Sequence, residues 1–265
     1  MTADDLPEVL FIPDQFMDYR MWSDIPDRLG GRARAIHFDQ RAQIPWTEED
    51  TGEFPRAAGR LAARGSFPAV AAAGQAARFA FAIAEAGIAE SLVLFMPSLD
   101  TIPDDFEGVD AGDLDLALDP YLPMVSALDE PDPGRRRDIL MQVIRETATD
   151  AEPAQLELAA AMMSDHSEEL FTHLRAFASA GADGQPPPVP PWLRRPWFDR
   201  LAELTVPVVV VGAGFSADAI ARRARDAEIV DAAGGGVIPS PAAGRAKAAE
   251  AILRVLDRLG PGGVG

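Results

Sequence analysis

The sequence predicts an α/β protein with a doubly wound, mostly parallel sheet and an inserted helical cap. Short apolar runs alternate with segments of helical spacing from the N-terminus to about residue 99. The alternation then stops, and it resumes at Val206–Val211. We therefore expect one core made of residues 1–99 and 201–265, and a helical cap or lid over residues 100–200.

Four apolar runs in the first part of the chain predict buried parallel strands, because strands covered on both faces are almost continuously hydrophobic. These runs are Val9–Pro13, Ala33–Phe38, Phe67–Ala73 and Ser91–Met96. Apolar residues at helical spacing predict helices between the strands. They occupy Asp18–Leu29, where Pro26 indicates a break, Phe54–Arg64 and Gln75–Ala86.

The rest of the chain predicts a helical segment followed by the end of the sheet. Helical patterns in the cap cover Asp138–Thr149, Pro153–Ser164 and Glu168–Ala180. A strong strand signal at Val206–Val211 and a weak one at Glu228–Asp231 follow. A last helix is predicted at Ala243–Leu259.

Composition excludes several classes of function. The net charge of −18 disfavours nucleic acid and membrane surfaces as partners. The absence of cysteine removes disulfides and zinc–thiolate sites, and no spacing of His, Asp and Glu predicts a metal site. No signal peptide or transmembrane run is visible, so we expect a cytoplasmic protein with no cofactor. Homodimer formation is left open.

Two segments carry a resemblance to a known fold. Leu10–Trp22 (LFIPDQFMDYRMW) resembles the first strand and oxyanion loop of α/β-hydrolases, with Pro13-Asp14 where those proteins usually have His-Gly. Ile36–Arg41 (IHFDQR) is similar to their PDxRG turn. The chain resembles a divergent α/β-hydrolase with a helical cap, and this resemblance covers nearly its whole length.

The catalytic triad that this resemblance implies is missing. The nucleophile elbow, G-x-S-x-G in the family, matches Ala72-Ala73-Gly74-Gln75-Ala76, so Gly74 stands at the nucleophile position. Phe215 takes the position of the acid and Val237 that of the histidine. The sequence therefore predicts a protein that is not a conventional serine hydrolase.

The resemblance places a different set of side chains at the pocket. We predict catalytic roles for Asp14, His37 and Gln75. Ligand-binding roles are predicted for Pro13, Gln15, Gly74, Phe215 and Val237. Asp14 could act as a general acid or base, or could simply bond nearby backbone N–H groups. His37 and Asp39 share a strand face and could exchange a proton or be structural, while His166 and His173 belong to the cap.

Two classes of function remain. The first is a non-hydrolytic enzyme, of the lyase, isomerase or cyclase type, acting on an apolar small molecule between core and cap. The second is a catalytically inactive pseudo-hydrolase that binds a ligand or a protein. A third interpretation is dinucleotide binding. Gly212–Ala217 follows a strand and resembles the dinucleotide fingerprint, and Asp231 stands where an acid would bind the ribose. The motif lies near the end of this sequence, whereas such a unit normally opens a domain.

Overall fold

The computed structural model describes residues 6–14, 17–38, 53–97, 127, 130–147, 153–166, 200–212, 215–231 and 242–259. Within these ranges, a single six-stranded sheet has the order β2–β1–β3–β4–β5–β6, and every neighbouring pair is parallel. The strands are β1 (Glu8–Ile12), β2 (Arg34–His37), β3 (Ala69–Ala73), β4 (Leu92–Phe95), β5 (Val208–Val211) and β6 (Ala227–Val230). The predicted doubly wound, parallel sheet is confirmed.

The observed strands coincide with the six predicted runs to within two residues at each end. Phe67 is outside β3 and forms only an isolated bridge to Ala89. Pro68 follows it and has no backbone N–H to donate, so a continuous ladder cannot begin before Ala69.

Seven α-helices are described. They are α1 (Ile25–Arg28), α2 (Glu53–Ala62), α3 (Ala77–Glu85), α4 (Pro133–Thr147), α5 (Pro153–Asp165), α6 (Phe215–Arg223) and α7 (Ala242–Leu259). The expectation of one helix over Asp18–Leu29 was wrong in detail, because a 3₁₀ turn at Tyr19–Trp22 precedes α1. Pro26 lies in the first turn of α1, where a missing N–H costs no intrahelical bond.

Two helices of the predicted cap are present, and the third, Glu168–Ala180, lies outside the described residues. Helix α4 begins at Pro133, before the predicted Asp138, because proline suits a first turn and the Asp132 carboxylate accepts the Arg135 N–H at 2.9 Å. Met162 and Met163 of α5 are buried against the sheet. The division into core and cap stays a prediction.

Alternation along each central strand explains why both faces of the sheet are covered. Odd-numbered side chains enter one buried cluster with α1, α4, α5 and α7, and even-numbered ones enter a second cluster with α2, α3 and α6. The first set contains Val9, Phe11, Ala69, Ala71, Ala73, Val93, Phe95, Val209 and Val211; the second contains Leu10, Ile12, Val70, Ala72, Leu92, Leu94, Val208 and Val210. Apolar residues at both odd- and even-numbered strand positions therefore specify a sheet between two helical layers.

The strand order fixes where a ligand crevice can form. From β1 the chain passes to β2 on one side, and from β2 it returns to β3 on the other side of β1. The helices that follow β1 and β3, α1 and α3, pack on opposite faces. In open parallel sheets, such a reversal leaves a crevice at the carboxyl ends of the two strands. The switch point here lies between the ends of β1 and β3.

Candidate functional site

Three of the predicted site residues meet at this switch point. Asp14 follows β1 by two residues, and Gly74 and Gln75 follow β3 directly. Gly74 has a positive φ of 52°, in the left-handed region, and opens the 3₁₀ turn Gly74–Ala76 that leads into α3. A sharp strand-to-helix turn of this kind displays its first residue at the edge of the sheet.

The Asp14 carboxylate occupies the space above Gly74. A Cβ built on Gly74 would lie 2.2 Å from Oδ2, 2.3 Å from Cγ and 2.5 Å from Oδ1 of Asp14. Real Cβ atoms do not approach other atoms so closely, so the side chain at position 14 stands where a side chain at position 74 would project. A loop after the neighbouring strand thus supplies a carboxylate to the position that the resemblance assigns to a nucleophile.

A backbone hydrogen bond holds this carboxylate. The Gln75 N–H donates to Asp14 Oδ1 at 2.9 Å, across 61 residues of sequence. Asp14 therefore accepts a backbone N–H, as the structural alternative expects, and this donor belongs to the turn after the neighbouring strand rather than to the loop of Asp14 itself. The N–H after a nucleophile elbow is one that the resemblance would assign to an oxyanion hole, so a donor suited to negative charge already has an anionic partner.

His37 lies on the other side of β1, at the end of β2. Its ring contacts the rings of Phe11, with centroids 5.8 Å apart, and Tyr19, at 5.9 Å. Partial burial lowers the pKa of the His37 imidazole, which favours the neutral ring at neutral pH. No described carboxylate is hydrogen-bonded to it, so the structure does not join His37 to the pair formed by Asp14 and Gln75.

Pro13 and Phe215 are the remaining predicted site residues that the structure describes. Pro13 is buried directly before Asp14, and Phe215 begins α6. Gln15, Val237 and Asp39 lie outside the described residues, so their predicted roles stay predictions.

The dinucleotide reading meets an obstacle at Gly212. In that fingerprint the first glycines leave room for a pyrophosphate. A Cβ on Gly212 would lie 2.5 Å from the sulfur of Met96, which follows β4 and has a φ of 44°. The Met96 side chain already covers Gly212, which also lies away from the switch point.

Sequence reasoning missed a charged cluster between the β1 loop and the end of α5. Asp18 caps the 3₁₀ turn and is only 8% exposed. Its carboxylate accepts bonds from the Arg20 backbone N–H at 2.9 Å, from Arg20 Nε at 2.9 Å and Nη2 at 2.6 Å, and it lies 3.0 Å from His166 Nε2. Arg20 Nη2 also contacts Asp165 Oδ2 at 2.7 Å. Only the Asp18–Arg20 part has a local sequence signal, since His166 is 148 residues away.

These contacts determine the ionisation of Asp18. Burial alone would raise the pKa of its carboxyl, but the hydrogen bonds from Arg20 and His166 outweigh burial and hold that pKa far below its ordinary value. The Asp18 carboxylate is therefore ionised at neutral pH and acts as a hydrogen-bond acceptor.

We expect Asp18→Asn to lower the free energy of unfolding at pH 7 by about 1–3 kcal/mol, because Arg20 and His166 lose a charged partner. Folding lowers the pKa of Asp18, so the stabilisation is complete above its pKa in the unfolded chain, about 4. The stabilisation declines below that pH and is lost as the pH falls through the pKa of the folded protein. Urea denaturation from pH 7 to pH 3 should show the stability gap between the two proteins beginning to narrow below pH 4. Asp165→Asn, at a side chain that is 58% exposed, is the control and should cost less. A gap that does not narrow below pH 4 would contradict this.

No family model matches the sequence, and no curated protein matches it. Solved structures match its fold over nearly the whole chain. A membrane phospholipase A, described as a bacterial virulence factor, is 14% identical with a TM-score of 0.63, covering 97% of this chain and 80% of its own. MenH from S. aureus is 15% identical, with a TM-score of 0.61 and coverage of 98% and 94%. An enol-lactonase from Burkholderia xenovorans is 13% identical, with a TM-score of 0.60 and coverage of 96% and 91%.

This likeness establishes an α/β-hydrolase-like fold, as the resemblance implied. At such identities it shows the fold alone, and the absence of the triad stays a prediction. In the described ranges, no helix is long and apolar enough to span a membrane. Across the same ranges, no group of three His, Cys, Asp or Glu residues could hold a metal ion.

Proposed function

We propose that this chain is a non-hydrolytic enzyme whose Asp14 carboxylate moves a proton on an apolar small molecule, in a reaction of the lyase, isomerase or cyclase type. One observation carries the proposal. Asp14 stands at the switch point above Gly74, and the Gln75 N–H fixes one of its oxygens at 2.9 Å. The carboxylate thus has a defined position where the fold class accepts ligands.

Orientation is what a carboxylate base most needs from its protein. A side chain that must take a proton from carbon works best when its lone pairs already point at the proton. Asp14 is held from two sides, by the turn that its own carbonyl closes with the Met17 N–H at 3.0 Å and by Gln75 on β3. Its side chain is partly exposed, so a small molecule can approach it.

The same arrangement disfavours ester hydrolysis by acyl transfer. Gly74 offers no hydroxyl, and the Gln75 N–H that would stabilise an oxyanion already binds a carboxylate. A fixed negative charge at that place would repel the negative charge that develops on a tetrahedral intermediate. Proton abstraction from carbon needs neither group.

A second candidate is a pseudo-hydrolase that binds a ligand or protein without turnover. One observation favours it: Asp14 fills the place above Gly74 much as the anionic group of a bound ligand would. The two candidates differ in one measurable property, because only the enzyme accelerates a reaction that requires a positioned base.

The test uses 5-nitrobenzisoxazole, an apolar compound that a positioned base opens by taking its C–H proton as the N–O bond breaks, releasing a coloured cyanophenolate. We expect the protein to accelerate this elimination and Asp14→Asn to reduce the rate about 100-fold or more. Asp27→Asn, which removes the same charge from an exposed position in α1, is the matched control and should keep the wild-type rate.

4-Nitrophenyl butyrate should release no burst of nitrophenolate, because no acyl-enzyme forms. Equal elimination rates for the wild type and Asp14→Asn would overturn the proposal and leave the binding candidate. A stoichiometric burst would instead reinstate a hydrolase.

A further inference from the structure

The charged cluster supplies the second half of the same site, an inference that rests on the proposed function. We infer that His166 is the group that transfers a proton at the oxygen of the substrate, while Asp14 acts at carbon. The substrate class is then an apolar ketone or aldehyde with an acidic C–H beside its carbonyl group.

The turn after β1 brings the cluster to the Asp14 edge of the sheet. The Asp14 carbonyl accepts the Met17 N–H at 3.0 Å, which keeps the Cα atoms of Asp14 and Asp18 within about 11 Å of each other. Trp22 anchors the following 3₁₀ turn, with its ring 5.5 Å from that of Phe11 and 6.0 Å from that of Phe95. Asp18 therefore lies within the span of a small molecule from Asp14.

Helix α5 brings the histidine to this place. Met162 and Met163 in its last turns are buried in the same cluster as Phe11 and Trp22, and His166 follows the helix directly. The His166 side chain is 27% exposed, so its neighbours do not enclose it fully. A small molecule can therefore reach the ring.

Hydrogen bonding fixes the tautomer of this ring. The ionised Asp18 carboxylate has no proton to give, so the contact of 3.0 Å requires a proton on His166 Nε2. In the neutral ring, Nδ1 is then the nitrogen with the lone pair. Within the described residues no group is hydrogen-bonded to Nδ1. Asp18 is a positioning residue that holds Nε2–H in place while Nδ1 gains and loses its proton.

The combined step balances in protons and electrons. Asp14 takes the proton from the carbon beside the carbonyl, the C–H electron pair forms the C=C bond, and the C=O π pair moves to oxygen. Nδ1–H of the imidazolium donates its proton to that oxygen, which leaves a neutral enol and a neutral imidazole. Return of the two protons by the reverse step regenerates the ketone.

Two probes separate this inference from the proposed function. Elimination of 5-nitrobenzisoxazole needs only a base, because its phenolate product is stable without a proton. Exchange of the α-protons of 2-tetralone in D₂O, followed by NMR, needs the base and a proton donor at oxygen. We expect His166→Gln to slow the exchange about 100-fold and to slow the elimination far less, in a protein that is still folded at the assay temperature.

Asp18→Asn tests the positioning role, with Asp165→Asn as its matched control because Asp165 contacts Arg20 and not His166. In ¹⁵N-labelled protein, the wild type and Asp165→Asn should show the neutral His166 ring protonated on Nε2, and Asp18→Asn should lose this preference and slow the exchange. If His166→Gln exchanges as fast as the wild type, the inference is overturned while the proposed function stands. Loss of the elimination in Asp14→Asn remains the separate test of that function.

Discussion

Gly74→Ala should lower the free energy of unfolding by about 2–4 kcal/mol, because the new methyl group collides with Asp14 and sits at a left-handed φ. All three atoms of the Asp14 carboxyl group lie within 2.5 Å of the added Cβ. To make room, the carboxylate must leave the Gln75 N–H, whose hydrogen bond is then lost. Urea denaturation at pH 7 gives the measurement.

Gly59→Ala is the matched control. Gly59 lies inside α2, and nothing is within 4 Å of the Cβ that it would gain. An alanine there should be neutral or should stabilise the protein by up to about 1 kcal/mol, since glycine weakens a helix interior.

A double-mutant cycle isolates the collision from the backbone strain. In an Asp14→Ala background the carboxyl group is gone, so Gly74→Ala should cost at least about 1 kcal/mol less than it does in the wild type. The part that remains reports the left-handed φ of 52°. The carboxylate does not occupy the place above the turn if Gly74→Ala changes the free energy of unfolding no more than Gly59→Ala does. The same conclusion follows if the effect of Gly74→Ala is unchanged in the Asp14→Ala background.

The sheet was predictable because its signals are local. Each strand appears as a short apolar run. Odd- and even-numbered residues of β1 or β3 point to opposite faces of the sheet, which already assigns them to two buried layers. The helices between the strands require parallel pairing, so strand direction follows as well. Strand ends shifted by a residue or two where a neighbour such as Pro68 could not donate to the ladder.

The site was predictable only in part, because its contacts join distant segments. The resemblance indicated that Asp14 and Gln75 belong to one edge, yet it gave no reason for the Asp14 carboxylate to reach over Gly74. That contact follows from the lateral order β1–β3, which brings together residues 61 apart. The pairing of Asp18 with His166 depends on how α5 packs on the sheet, and no periodicity reports such packing.

Asp14→Ala should reduce the rate of 5-nitrobenzisoxazole elimination about 100-fold or more. Sodium formate should then raise the rate of this variant at least about tenfold. Removal of the side chain leaves a carboxyl-sized space beside the Gln75 N–H, because the three atoms nearest to a Cβ built on Gly74 all belong to the Asp14 carboxyl group. Formate fits this space and restores a base at the same donor. The recovered rate should saturate with formate concentration, and sodium chloride at equal ionic strength should restore nothing.

Two variants decide whether the recovery comes from this space. Asp14→Asn keeps an amide where the carboxyl group was, so formate should not rescue it. Asp14→Ala combined with Gly74→Ala places a methyl group where the Asp14 oxygens had been, 2.2 Å from the position of Oδ2, and should also resist rescue. If formate accelerates all three variants equally, the base acts from solution and Asp14 has no special position. Rescue of Asp14→Ala alone would locate the proton acceptor above residue 74, on the donor that the resemblance assigns to oxyanion stabilisation.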